Sequence, residues 1–435
     1  MSGKETFFKI LNQEMVLSTG CTEPAAISYD ASVAANEIKK LNDEVKEIKV
    51  LASKNILKNA MSAGLPNSDK VGVNFAAGIG ALHGDPKNKL NVNNDIDKAS
   101  YDKAEEMIKK GLITVEAAKV PNVLYIDVTV KGNTHTARAV IADQHTNVIL
   151  IEVDGKTIFE NKGSSGDKEK MSPEEITEFL SLKKIWDFAT KELDPLNDPI
   201  DIIRKAVEVN DTISKEGLKN DYGLQIGKII YEDIKNNLQG DNVVSHAIAR
   251  AAAGSDARMA GAPFAVVTNS GSGNQGITNV MPVLSLAEEL KVSEETKYRA
   301  LTLTNLTSIY IKSQFGTLSA FCGAAIASTG AACGITYLRG GDYDAYERTI
   351  QNMVGTVTGM LCDGAKPDCS LKIYAGLQAA FYASKLALKN IRVKSTEGIV
   401  CEKAEDSIKN LCTLSKKCSD NLDDNILYMM LHKEV

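Results

Sequence analysis

The stretch AFCGAAIASTGAACGITYL, residues 320–338, does most to limit how this chain folds, because small residues dominate it. Side chains of that size let helices approach closely, which suits a helix packed tightly inside a protein. From Ser172-Pro173-Glu174-Glu175, where proline takes the first helical position, the chain reads mostly as helices separated by glycine-rich loops. Within this half, NVVSHAIARAAAGSDARMAGAP (242–263) reads as two helical pieces broken at Gly254-Ser255.

The first half reads differently. Residues 5–17 form a short amphipathic helix, and a second helix follows Pro24 through AAISYDASVAANEIKKLN. EIKVLAS (47–53) alternates as a strand, VGVNFAAGIGALHGD (71–85) reads as a loop with a short helix, and DKASYDKAEEMIKKG (98–111) is a helix stopped by glycine. NVLYIDVTVKGNTHTARAVIADQHTNVILIEVDG (122–155) reads as three strands with turns at 131–133 and 143–145. Residues 162–170, KGSSGDKEK preceded by the end of this region, read as a polar linker. The expected architecture is α+β: N-terminal helices over 1–40 docking on the catalytic body, a smaller mixed α/β domain over 41–162, and a large helical domain over 163–435.

The length of 435 residues allows one to three domains. A net charge of −6 argues against nucleic-acid or membrane-surface partners, and 6% aromatics are too few for a base-stacking platform. No apolar run of about 18 residues marks a membrane span, and the N-terminus lacks a signal-like apolar segment. Eight cysteines in such a chain point to a reducing cytoplasm and to free or metal-bound thiols.

Three of those cysteines carry the chemistry. Cys322 and Cys333 share the small-residue stretch, and on one helix they would stand roughly 16 Å apart along its axis. Cys362 and Cys369, in LCDGAKPDCS, are separated by Gly364 and Pro367, which let the loop curl both sulfurs toward one centre. Cys322, Cys362 and Cys369 therefore form a candidate metal or cluster site with one open position, Cys333 being a packed neighbour. The competing reading is a set of ordinary buried cysteines. In STGCTEPAA (18–26), Cys21 falls just before a helix N-terminus, where the dipole and free N–H groups lower a thiol's pKa. A capping turn in which Cys21 only packs is the alternative. The loop TNSGSGNQGI (268–277) could form an anion-binding nest or be a plain linker.

Other polar residues carry less. The histidines His83, His135, His145, His246 and His432 form no zinc pattern with cysteine, and His246 reads as structural. Cys401, Cys412 and Cys418 read as non-catalytic thiols. Lys312 is either a pocket cation or a solvated lysine.

Taken together and in this order, GCTEP, NSGSGNQG, LSAFCGAAIA and LCDGAKPDCS resemble the L-cysteine desulfidase family. That family is related to the catalytic part of oxygen-sensitive, iron–sulfur L-serine dehydratases, and the likeness covers essentially the whole chain. It implies a PLP-independent β-elimination of L-cysteine to pyruvate, ammonia and hydrogen sulfide. It also implies a [4Fe-4S] cluster held by Cys322, Cys362 and Cys369 with one open iron, and Cys21 as the reactive thiol, which we expect to be the base. The same resemblance leads us to expect substrate contacts from Thr22, Glu23, Ser270, Gly271, Ser272, Gly273, Asn274 and Gln275. The loop would take the carboxylate, and Glu23 or Asn274 the ammonium. The pattern departs from the serine dehydratases in the seven-residue gap between the last two cysteines and in STGCTEP replacing their serine/histidine loop, which favours cysteine over serine. A cytoplasmic homodimer with L-cysteine as its small-molecule partner is the expected state. The rivals are an L-serine dehydratase, a three-cysteine zinc enzyme, and a non-catalytic iron–sulfur or sulfur-carrier protein.

Overall fold

Two hydrophobic cores organise the chain, one around a sheet and one around packed helices, and the fold is α+β. The computed structural model describes residues 3–66, 68–93, 96–161, 170–316 and 319–432. The stretch 162–170 expected as a linker lies outside these residues except for Lys170. Among the described residues, no helix is long and apolar enough to cross a membrane.

The chain opens with α1 (Gly3–Glu14), the short β1 (Leu17–Thr19) and α2 (Thr22–Lys40). It continues through β2 (Glu47–Ala52), α3 (Lys54–Ala60), α4 (Val73–His83), α5 (Lys98–Lys109) and β3 (Ile113–Ala117). The strands β4 (Tyr125–Lys131), β5 (Thr136–Ala142), β6 (Val148–Val153) and β7 (Lys156–Glu160) follow. The sheet order is β3-β2-β4-β5-β6-β7, with β2 and β3 parallel and every other pair antiparallel. Alternation sets its inner face: Ile48 and Val50 of β2 and Ile126, Val128 and Val130 of β4 are buried, while Glu47 and Lys49 point outward. β3 and β7 add strands that the sequence pattern does not reveal. α1 joins the helical core, where Phe7 stacks on Phe188 with ring centroids 4.0 Å apart. α2, expected to dock there too, instead lies across the sheet, because its Ala26, Ile27, Ala34 and Ile38 match the sheet's apolar face.

The second half supplies α6 (Pro173–Phe179), α7 (Leu182–Asp187), α8 (Asp201–Lys219), α9 (Ile226–Lys235), α10 (Val243–Met259) and β8 (Ala265–Val267). Then come α11 (Gly273–Glu289), α12 (Glu294–Phe315), α13 (Gly323–Leu338), α14 (Tyr343–Val357), α15 (Cys369–Leu388) and α16 (Ala404–Leu431). Ser172 begins α6 with a full capping box to Glu175. The expected break at Gly254-Ser255 does not occur, and α10 runs through it. Gly254 is there for close packing: a Cβ would meet Ser214 Oγ at 2.7 Å.

Three contacts lock the cores together. β1 pairs antiparallel with β8, Leu17 opposite Val267. The Gly64 amide donates to the Met259 carbonyl at 3.2 Å. Lys58 of α3 forms an ion pair with Asp423 of α16, both side chains almost wholly buried. Replacing one member of a buried pair strands the other, so Lys58→Met alone should cost about 3–5 kcal/mol. Lys58→Met with Asp423→Leu should recover most of that loss. Urea unfolding of the native chain and the two variants measures both, and a harmless single substitution would contradict the pair's structural role.

Within the smaller core, Asp30 of α2 is fully buried and neither carboxylate oxygen has a side-chain hydrogen-bond partner. Its neighbour Asp127 is instead gripped by Arg138, at 3.0 Å to Nε and 2.9 Å to Nη2. Burial, then the Asp127 charge, hold the Asp30 carboxyl well above the usual carboxylate range, with only the Val128 amide and Arg138 opposing. An acid whose folded pKa is raised stabilises the fold fully below its unfolded value of 3.8, and that contribution is lost as pH rises through the folded value. Asp30→Asn should therefore gain on the native chain by about 1.4 kcal/mol per pH unit over that window. Denaturation at pH 4, 5.5 and 7 reads the slope, and parallel stability profiles would refute it.

Candidate active site

The seam between the cores opens into a cavity of about 160 Å³. One wall is sulfur. Cys322 caps the N-terminus of α13, and Cys369 is the first residue of α15. A short antiparallel bridge aligns the first two cysteines: Phe321 sits opposite Leu361, the Cys322 amide donates to Met360 O at 2.8 Å, and the Cys362 amide donates to Ala320 O at 2.7 Å. The loop between Cys362 and Cys369 is stitched by Lys366, which contacts Asp363 and Asp368 at 2.7 Å each, and by Lys372 paired with Asp363. Gly364 has φ +100°, and a Cβ there would strike the Lys58 carbonyl at 2.1 Å, so the loop rests directly on α3.

The three thiols differ electrically. Cys322 donates to Cys362, which holds the Cys362 sulfur below the usual thiol range and Cys322 above it; Lys58 and Lys372 also favour the Cys362 thiolate. Burial pushes the Cys369 thiol up to about 11. Lys312 of α12 lines the cavity too, donates to Gly316 O at 2.6 Å, and is brought down to about 8 by burial, against the opposing effect of Cys362, Cys412 and Cys322. Cys333 is buried inside α13 and does not line the cavity.

The rest of the lining is hard and polar. Cys21, Thr22 and Glu23 reach it from the start of α2. Glu23 is fixed by the Thr22 hydroxyl at 3.0 Å and by the Asn59 amide at 3.2 Å. Ser270 and Gly271 turn with positive φ, Asn269 and Ser272 bridge the turn, and Ser272 caps α11 by accepting the Gln275 amide at 3.3 Å. Ser270, Gly271, Ser272, Asn274 and Gln275 line the cavity; Gly273, expected with them, lies buried behind. Arg258 of α10 crosses behind this loop, donating to Gly20 O at 3.1 Å and to Asn274 Oδ1 at 3.4 Å.

The lowered pKa expected for Cys21 is not found. Burial raises the thiol's pKa and Glu23 adds to the rise, and the Arg258 charge only partly offsets them. Cys21 is thus held as a neutral thiol.

Four buried polar atoms of this lining lack any protein partner: Asn59 Oδ1, His145 Nε2, Arg258 Nε and Gln275 Oε1. An unpaired buried polar atom is costly, and these four leave the cavity lining open to a polar ligand. Arg258, Asn59 and His145 do not stand out in the sequence as site residues. Arg258, one of two arginines in the alanine-rich run of α10, is the one signal that could have found any of them. His246 lies outside the cavity, paired with Asp241 at 2.7 Å, and Cys401, Cys412 and Cys418 are also outside.

Among the described residues, no three His, Cys, Asp or Glu side chains stand close enough to grip a single ion. A cubane asks for a wider arrangement, each cysteine holding a different iron. Cys322, Cys362 and Cys369 line one cavity together with Lys312, a sulfur donor set of the kind an iron–sulfur cluster takes.

Residues 27–428 match the family described as "Serine dehydratase alpha chain". The chain belongs to the serine dehydratase alpha chain family. It is a family of serine dehydratase-like lyases associated with iron–sulfur clusters. Proteins called "UPF0597 protein" are similar over nearly their whole lengths. One from Clostridium perfringens (strain ATCC 13124) is 40% identical over 99% of both chains. One from Shewanella halifaxensis is 41% identical over 98% of both, and one from Bacteroides thetaiotaomicron 37% over 99% of both. The family match begins at Ile27, so Cys21, Thr22 and Glu23 lie just upstream of it.

Thiolate character decides alkylation rate. In the iron-free form of this dehydratase-family chain, iodoacetamide at pH 7 should modify Cys362 before Cys21, Cys322 or Cys369. Peptide mass spectrometry over a time course gives the order. Equal rates at all four would refute the charge distribution of the sulfur wall.

Proposed function

We propose that this chain is an L-cysteine desulfidase, cleaving L-cysteine without PLP to pyruvate, ammonia and hydrogen sulfide. The supporting observation is that a single cavity is lined both by three cysteines and by Glu23, Arg258 and residues of the Ser270–Gln275 loop. In this reading Cys322, Cys362 and Cys369 hold a [4Fe-4S] cluster, which when bound supplies an open iron as Lewis acid toward the leaving sulfur.

The chain's own residues then orient the amino acid. Arg258, with its unpaired Nε, and the Ser270–Gln275 loop at the start of α11 take the carboxylate. Glu23, held by Thr22 and Asn59, takes the ammonium. With those two ends fixed, the side-chain sulfur points at the cysteine wall. Cys21 packs in one small cluster with Ala63, Met259, Ala365 and Cys369. As a neutral thiol there it is suited to give a proton rather than to take one, which reverses the role expected for it. A reducing cytoplasm would keep all of these sulfurs free for ligation.

The family's own description favours a second reading, L-serine as substrate. Soft sulfur is the better ligand for an iron–sulfur site, and STGCTEP supports cysteine. Anaerobic purification with iron, acid-labile sulfide and turnover measured on one sample tests both. Sulfide release from L-cysteine should exceed pyruvate release from L-serine at least tenfold in kcat/KM, and Cys362→Ser should abolish both iron binding and turnover. A larger kcat/KM for serine selects the second reading. Stoichiometric zinc in place of reconstitutable iron, or full iron with no turnover of either amino acid, overturns both.

A further inference from the structure

We propose that His145 is the base that takes the Cα proton of the amino acid, an inference that rests on the eliminating role proposed above for this cavity. His145 sits in the β5–β6 turn, in the stretch Asp143-Gln144-His145-Thr146-Asn147, where Asp143 has φ +67°. That turn carries the imidazole from the end of the sheet to the seam, where it lines the cavity together with Glu23 and Arg258.

The other four histidines show how unusual its state is. His83 meets Ser100 at 3.3 Å, His135 meets Asp154 at 2.7 Å, His246 meets Asp241 at 2.7 Å, and His432 meets the Tyr428 carbonyl at 2.8 Å. Each of these ring nitrogens has its partner at the surface. His145 Nε2 is buried with none. A nitrogen left so is kept for a group that arrives later.

The alternatives within the cavity are less suited. Cys21 carries its proton already. The charge of Lys312 is engaged by Cys362 and Cys322. Glu23, held by Thr22 and Asn59, is the group assigned to the ammonium. Burial lowers the His145 pKa, with Glu23 opposing, so the ring is neutral and able to accept. Glu23 beside it also compensates the imidazolium once the proton arrives.

The step balances without an oxidant. The Nε2 lone pair takes the Cα proton, and the C–H electrons become the Cα–Cβ double bond. The Cβ–S bond breaks with its electron pair on sulfur, which leaves as hydrosulfide toward the cysteine wall. The aminoacrylate takes a proton at Cβ, becomes an imine, and reacts with one water to give pyruvate and ammonia. Cysteine and water thus yield pyruvate, ammonia and hydrogen sulfide, and the imidazolium returns its proton.

The test uses the anaerobically reconstituted protein. His145→Gln, with iron and sulfide content matched to the native chain, should lose about 10²–10⁴-fold in kcat for sulfide release with KM changed only a few-fold. The iron-free native chain, labelled with ¹⁵N-histidine and titrated with L-cysteine, should show one ring resonance shifting, absent from the His145→Gln spectrum, while the other four stay in place. If His145→Gln folds poorly by circular dichroism, His145→Asn and the native titration decide. A His145 variant within tenfold of native kcat, or a His145 resonance unmoved at saturating cysteine, overturns the assignment while the elimination stands. A native protein with full iron that releases no sulfide overturns the elimination, and His145 with it.

Discussion

The cavity exists because two cores are held in one register, and the buried Lys58–Asp423 pair is the tightest part of that hold. α3 and α16 come from opposite ends of the sequence, and the pair ties them where neither charge can be satisfied by water. A buried pair of this kind contributes little net stability but penalises every arrangement that separates it. The consequence reaches the sulfur wall, since the Lys58 carbonyl supports the turn at Gly364, between Cys362 and Cys369. Cys21, Glu23, Asn59 and His145 arrive from the sheet-bearing core; Arg258, the Ser270–Gln275 loop and the cysteine wall arrive from the helical one. Neither core holds a complete site, so slippage along the seam would part Cys21, Glu23, Asn59 and His145 from Arg258, the Ser270–Gln275 loop and the cysteines before either core lost its own packing.

Where local chemistry decides structure, the sequence could be read. Alternation in 47–53 and 122–155 gives β2, β4, β5 and β6, and Ser172-Pro173 gives the start of α6. The curl that brings Cys362 and Cys369 to one cavity follows from Gly364 and Pro367. Where a long-range contact decides, reading fails. Gly254 looks like a helix break, yet its role is to admit Ser214 of a neighbouring helix. α2 looks like part of the helical body and becomes the cover of the sheet. Asn59 and His145 sit in segments whose composition is ordinary, and only the seam gives them a cavity to face.

Cys21 shows how magnitude settles such a case. A helix N-terminus favours an anion by about 0.3–1 kcal/mol at an exposed site, well under one pKa unit. Full burial moves a titratable group by up to about 3–5 units the other way. The position at the start of α2 is the one expected, but the sulfur is buried there beside Glu23, and the larger effect wins. A local argument about a thiol is therefore incomplete until its burial is known, which is the quantity sequence reading supplies least well.

The division of the cavity into a soft wall and a hard wall also limits what binding can discriminate. Cysteine and serine share the carboxylate and ammonium that, in the function proposed above, Arg258, the α11 loop and Glu23 would address, so both would be held in the same orientation. They differ by one atom directed at the cysteines, and even a whole methylene gained or lost in an apolar pocket separates substrates by only about 10–200-fold. Selectivity beyond that has to come from the bond-breaking step, where the departing atom's affinity for the cysteine-lined wall enters the transition state but not the bound ground state. The preference for sulfur or oxygen would then appear in kcat more than in KM. Its determinants would lie in Cys322, Cys362, Cys369 and the lysines around them, and not in the loop that recognises the amino acid.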